Sequence, residues 1–89
     1  MTNIDKSVLK LIDVLIFQKK VKNSRRFCIE ANIPLTTPSK VTKGTLHFTV
    51  LQLQSICQAY NVNANWLLGM EKNVFNEKNS IEIEDFLLP

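Results

Sequence analysis

The chain has little of what most recognisable chemistries require. Its 89 residues include two glycines, so there is no glycine-rich loop to cradle a phosphate chain. Two cysteines, Cys28 and Cys57, are too few for a disulfide framework and lack the Cys-x-x-Cys spacing of a redox or zinc motif. The single histidine, His47, has no second imidazole with which to share a metal. The longest run of aliphatic and aromatic residues is Val14–Phe17, against the roughly 20 residues that a membrane-spanning helix needs. Asp5, Lys6, Lys10 and Asp13 interrupt the N-terminal stretch where a signal peptide would be continuously apolar. From these absences we expect a cytoplasmic, soluble protein that is not an enzyme, with no metal, no cofactor, no membrane contact and no small-molecule substrate.

What is present suits one small folded domain: 45% hydrophobic residues and 21% charged. A chain of this length buries about two-thirds of its unfolded surface, enough for a single core. The charges are segregated. Residues 1–44 carry nine basic side chains against three acidic ones, a net +6, whereas residues 45–89 carry two against five, a net −3. Signs separated in this way give a polyanion an electrostatic footprint.

Five short helices can be read from their ends. The first spans residues 4–20, with Val8, Leu11, Ile12, Leu15 and Ile16 at helical spacing and Thr2 or Asn3 as cap. Lys19, Lys20 and Lys22 would complement the dipole at its C-terminal end. The second runs from Ser24 to Ala31, capped by Asn23 or Ser24, with Asn32 as a left-handed stop and Cys28 and Ile33 as the apolar pair beside it. Arg25 and Arg26 fall in its first turn, where positive charge opposes the dipole by about 0.3–1 kcal/mol each. A phosphate bound there would reverse that penalty.

Thr37 as cap, Pro38 as first residue and Gly44 as stop frame a third helix that is short, polar and basic. In the fourth, Thr49 and Gln52 form a capping box, Phe48 and Leu53 have staple spacing, and Val50, Leu53, Ile56, Cys57 and Tyr60 make the inward stripe. The fifth lies within Asn63–Gly69, where Trp66, Leu67 and Leu68 would close the core.

At residues 23–44 the pattern resembles the helix-turn-helix of the phage-repressor and Cro-like family, often called XRE-type. Phe27 stands at the apolar helix-2 position, Cys28 at the tiny-residue position, Asn32 at the turn glycine, Ile33 after it, Val41 inside the recognition helix and Gly44 at its end. Downstream, Leu53, Ile56, Cys57, Tyr60-Asn61-Val62-Asn63 and Trp66-Leu67-Leu68-Gly69 are similar to that family's closing segment. The resemblance covers residues 6–70. It implies an all-α, five-helix, lambda-repressor-like domain over residues 1–70 that binds double-stranded DNA as a homodimer and regulates transcription, as a repressor does. It places Leu35, Thr36, Thr37, Ser39 and Lys40 at base edges, and Ser24, Arg25, Arg26 and Lys43 at phosphates.

Ser24 and Pro38 depart from the family, which has glutamine and a β-branched residue there. Pro38 is expected to make the recognition helix start late, after a longer turn. The alternative is a helix-turn-helix without base readout, serving as an antitoxin-like or antirepressor-like protein-interaction module. Residues 71–89 form the C-terminal tail. Within it Ile81-Glu82-Ile83-Glu84 alternates like a strand and Phe86-Leu87-Leu88 is apolar. Such a segment either pairs across a two-fold axis or is a free end.

Overall fold

A computed structural model describes residues 1–76. Five helices follow one another, with no strand among the described residues: α1 (Asn3–Phe17), α2 (Ser24–Ala31), α3 (Thr37–Thr42), α4 (Val50–Tyr60) and α5 (Ala64–Leu67). The small all-α, five-helix domain expected from the sequence is therefore present. The tail segments Ile81–Glu84 and Phe86–Leu88 lie outside the described residues. No described helix is long and apolar enough to cross a membrane.

All five helices stop by one device. The positive-φ residues among the described ones are Lys19, Asn32, Gly44, Asn61 and Gly69, and each lies just past a helix. After each, the next N–H returns to a carbonyl in the last turn: Lys20 to Leu15, Ile33 to Cys28, Thr45 to Lys40, Val62 to Cys57 and Met70 to Asn65, at 2.7–3.2 Å. These are Schellman stops, in which a left-handed residue lets the chain reverse and satisfies an orphan carbonyl. Glycine and asparagine announce four of them.

Lys19 announces nothing, and there the sequence misleads. The first helix, expected to reach residue 20, stops at Phe17, and no basic residue lies in its last turn. Lys19, Lys20 and Lys22 therefore lie in the loop beyond the helix end, not in its last turn. The turn brings Val21 into the core, where it is only 4% exposed. A lysine Cβ in the left-handed region costs about 1–2 kcal/mol. Lys19→Gly removes that strain, and the extra entropy of an unfolded glycine offsets part of the gain. We expect a net stabilisation of about 0.5 kcal/mol, measured by thermal unfolding.

The helix starts follow the sequence closely, with one shift. Thr2, Asn23, Thr49 and Asn63 each accept a hydrogen bond from a backbone N–H of the turn they open. The expected Thr49–Gln52 capping box is complete in both directions. In α3 the cap is Thr36, without a side-chain bond, so Thr37 and Pro38 each stand one position further into the helix than expected. Neither of the first two helical positions needs its N–H, which is why proline fits at either. The Thr37 N–H donates to the Pro34 carbonyl at 3.0 Å, so a turn over residues 34–37 precedes the helix.

The core joins Val8, Leu11 and Leu15 of α1 to Phe27 of α2, Val41 of α3, Ile56 of α4 and Leu67 of α5. Helix α2 packs between α1 and α4, and α5 closes against α1. The Phe27 and Tyr60 rings stack with centroids 5.4 Å apart and planes within 5°. Val50 does not join the inward stripe of α4; it is 80% exposed. Phe48, on the other side of the cap, is the residue that enters the core there. Leu53, Cys57, Tyr60 and Trp66 are half-buried, and Leu68 is exposed.

Packing continues past Gly69. The Asn63 N–H donates to the Val74 carbonyl at 2.8 Å, the Asn63 amide to the Asn73 carbonyl at 3.1 Å, and the Asn76 N–H to the Asn61 carbonyl at 3.0 Å. Residues 71–76 thus double back on the α4–α5 junction, where Phe75 pairs with Val62. The Lys20 ammonium lies 4.0 Å above the Phe75 ring, tying this return segment to the α1–α2 loop.

One buried charge holds two distant parts of the chain together. Asp5 is 1% exposed. Its carboxylate accepts the Thr2 N–H at 3.0 Å, the Phe48 N–H at 3.0 Å and a contact from His47 Nδ1 at 2.6 Å. Burial alone would raise its pKa. The bonds from His47, Phe48 and Thr2 outweigh burial and hold the carboxyl well below its ordinary value of 3.8. Asp5 therefore stays ionised and clamps the start of α1 to the segment that leads into α4.

Candidate nucleic-acid interface

Helix α3 has two unlike faces. Thr37, Pro38 and Val41 point inward. Thr36, Ser39, Lys40 and Lys43 are exposed, and they recur at i, i+3, i+4 and i+7, which places them along one stripe of a helix. Leu35 precedes this stripe and is also exposed. Four of the five residues assigned to base edges are therefore accessible. The fifth is not: Thr37 is 4% exposed, because the helix begins one residue early and turns that position into the core. The outer face carries hydroxyls and ammonium groups, with one leucine at its leading edge.

The start of α2 gathers the other candidates. Ser24, Arg25 and Arg26 are exposed, and Lys22, Asn23, Arg25, Arg26 and Ile29 border one shallow depression. Asn23 accepts the Arg26 N–H at 2.9 Å, and its carbonyl accepts that of Phe27 at 3.2 Å. The N–H groups of Ser24 and Arg25 have no partner within the helix, as at any helix start. Donors and cations converge on one small area, where an anion would be held by both.

Arg26 is less free than Arg25. Its Nε donates to Glu30 Oε1 at 3.1 Å, and the Tyr60 hydroxyl donates to Glu30 Oε2 at 2.7 Å. The Tyr60 hydrogen bond, helped by Arg26 and opposed by burial, holds the Glu30 carboxyl below its ordinary value. Burial, and then the Glu30 carboxylate, push the Tyr60 hydroxyl up. The network links the first turn of α2 to the last turn of α4, so Arg26 is aimed rather than loose. The spacing of Arg26 and Glu30 was a visible i, i+4 pair. Tyr60 as its third member was not, since that contact spans 30 residues.

The two thiols lie apart from these surfaces. Burial pushes both Cys28 and Cys57 upward in pKa, so both are protonated at neutral pH. Among the described residues, no three histidine, cysteine or carboxylate side chains come together to hold a metal. No protein-family model matches this chain, and comparison with curated proteins and with solved structures gave no match either.

Proposed function

We propose that this domain is a binding module, not an enzyme, and that it recognises double-stranded DNA in a sequence-specific manner as a cytoplasmic transcriptional regulator of repressor type. The observation that carries the reading is the outer stripe of α3: Thr36, Ser39, Lys40 and Lys43 on one face of a short helix that no other described residue covers. A helix read against base edges in the major groove needs a polar outer face of this size. The left-handed Asn32 between α2 and α3 supports the same reading, as does the cationic start of α2, which suits the phosphate backbone. In this arrangement Leu35 meets a thymine methyl, Thr36, Ser39 and Lys40 meet base edges, and Ser24, Arg25, Arg26 and Lys43 meet phosphates. Thr37 supports α3 from within.

The exposed apolar side chains Val50, Leu51, Leu68 and Met70 offer a surface to a second copy, in keeping with a homodimer on two half-sites. The same surface also favours the competing reading, an interaction module that binds protein alone. Salt separates the two. Six phosphate contacts give a slope of log K against log salt of about −5, whereas a protein partner gives a shallow slope.

The residues have separable signatures. Arg25→Ala is expected to weaken binding to every duplex alike and to flatten the salt slope by about one unit. Lys40→Ala is expected to cost about 1–3 kcal/mol more on the best site than on random DNA, because a base contact is lost. Titration of both variants by fluorescence anisotropy, on two duplexes at several salt concentrations, checks the pair. An equal loss on both duplexes for Lys40→Ala moves Lys40 from bases to phosphates.

A further inference from the structure

We propose that the acidic, apolar segment Ile81–Leu88 of this chain docks within the same molecule into the cationic cleft between the end of α1 and the start of α2. The cleft has Ile16 and Val21 among its apolar lining and is bordered by Lys19, Lys20, Lys22 and Arg26, with Glu30 already bonded to Arg26 and Tyr60. Apolar surface under a rim of like charge calls for an occupant that is apolar and of the opposite charge.

Three observations select this segment. The first is charge. Residues 1–76 carry a net +6, whereas residues 77–89 carry Glu77, Glu82, Glu84 and Asp85 against Lys78 alone, a net −3. The second is pattern: Ile81, Ile83, Phe86, Leu87 and Leu88 are interleaved with three of those carboxylates. The third is position. The last described residue, Asn76, is bonded to Asn61 and Val62, and its neighbour Phe75 lies under the Lys20 ammonium at 4.0 Å. Lys20 is itself part of the cleft. The chain therefore leaves the described domain beside the cleft, and five Cα steps from Asn76 to Ile81 reach up to about 17 Å.

The apolar groove at α4 and α5, lined by Val50, Leu53, Cys57, Leu67 and Leu68, is a poorer match because no charged residue lines it. Docking in the cationic cleft covers Arg26 and neutralises its neighbours. The tail is then an intramolecular competitor for any polyanion at this face, an inference that stands whether or not that polyanion is DNA.

The test is zero-length carbodiimide crosslinking of the full chain, with ¹⁴N- and ¹⁵N-labelled molecules mixed in equal amounts and the peptides read by mass spectrometry. The expected result is amide bonds from Lys19, Lys20 or Lys22 to Glu82, Glu84 or Asp85, confined to same-isotope pairs. Those bonds should be lost in the full-length double variant Phe86→Ser, Leu87→Ser, whose melting temperature stays level. Absence of these bonds overturns the proposal, as does equal bonding of the tail to Lys6, Lys10, Lys40 and Lys43. Mixed-isotope pairs overturn it in favour of exchange between copies. Survival of the bonds in the double variant also overturns it, since tethering and charge alone would then account for them.

Discussion

Asp5→Ala is expected to destabilise the domain by about 2–4 kcal/mol, through two separate losses. The Phe48 N–H loses a buried acceptor, and an orphaned buried donor costs about 1–3 kcal/mol. The capping box at Thr2 loses its return bond, which belongs to a class of interaction whose removal costs about 0.5–2 kcal/mol. Asp5→Asn keeps the shape and one acceptor oxygen, so it should lose less. The same group sets an acid limit. Its folded-state pKa lies below its ordinary value of 3.8, so its contribution is complete above the ordinary value. The contribution is lost as pH falls toward the folded-state value. Urea unfolding of the parent between about pH 5 and pH 2 should show stability falling with pH, mostly below the ordinary carboxyl value, and the fall should be smaller in Asp5→Asn. An Asp5→Asn variant with an unchanged acid slope would show that other carboxylates set the limit.

Phe27→Ala is expected to cost about 3–5 kcal/mol, the largest single effect in the chain. Phe27 is fully buried, stacks on Tyr60, and stands where α2 meets α4. Domains hold about 0.05–0.15 kcal/mol per residue, so the loss is a large fraction of the whole stability. Phe27→Leu keeps most of the volume and forfeits the ring stack, worth about 0.5–1.5 kcal/mol. The two variants, compared by denaturant midpoint at constant m, separate cavity from stacking. Tyr60→Phe adds a third measurement, because it removes the bond to Glu30 while keeping the rings together. Its stability cost should be small, but Arg26 should become less ordered.

Local chemistry was legible, and tertiary compensation was not. The boundaries of α2 and α4, the caps at Asn23 and Thr49 and four of the five helix stops follow from residue types whose backbone preferences are strong. Lys19 broke the pattern because burial of Val21 overrides a local preference that no sequence signal opposes. Val50 was misassigned for a related reason: helical spacing says which residues share a face, but only packing says where that face ends. Thr2 was readable as one of two possible caps, but the box that Asp5 completes with it was not. Nor was the second role of Asp5, holding His47 and Phe48 from 42 and 43 residues further along the chain.

The candidate site divides in the same way. The polar stripe of α3 was visible as Thr36, Ser39, Lys40 and Lys43, and three of its members were assigned to bases and one to phosphates. The burial of Thr37 depends on a one-residue shift in the helix start, below what capping preferences resolve. Arg25 and Arg26 looked equivalent in the sequence, and the Glu30–Tyr60 network makes them different.

Selection of bound sequences from a random duplex pool tests the central claim most directly. Sequence-specific binding through α3 predicts enrichment of a motif with two-fold symmetry, its half-sites centred about 34–36 Å apart along the duplex. The motif should weaken at defined positions when the selection is repeated with Lys40→Ala. A pool that remains random after repeated rounds at moderate salt, with a correctly folded protein, would contradict it.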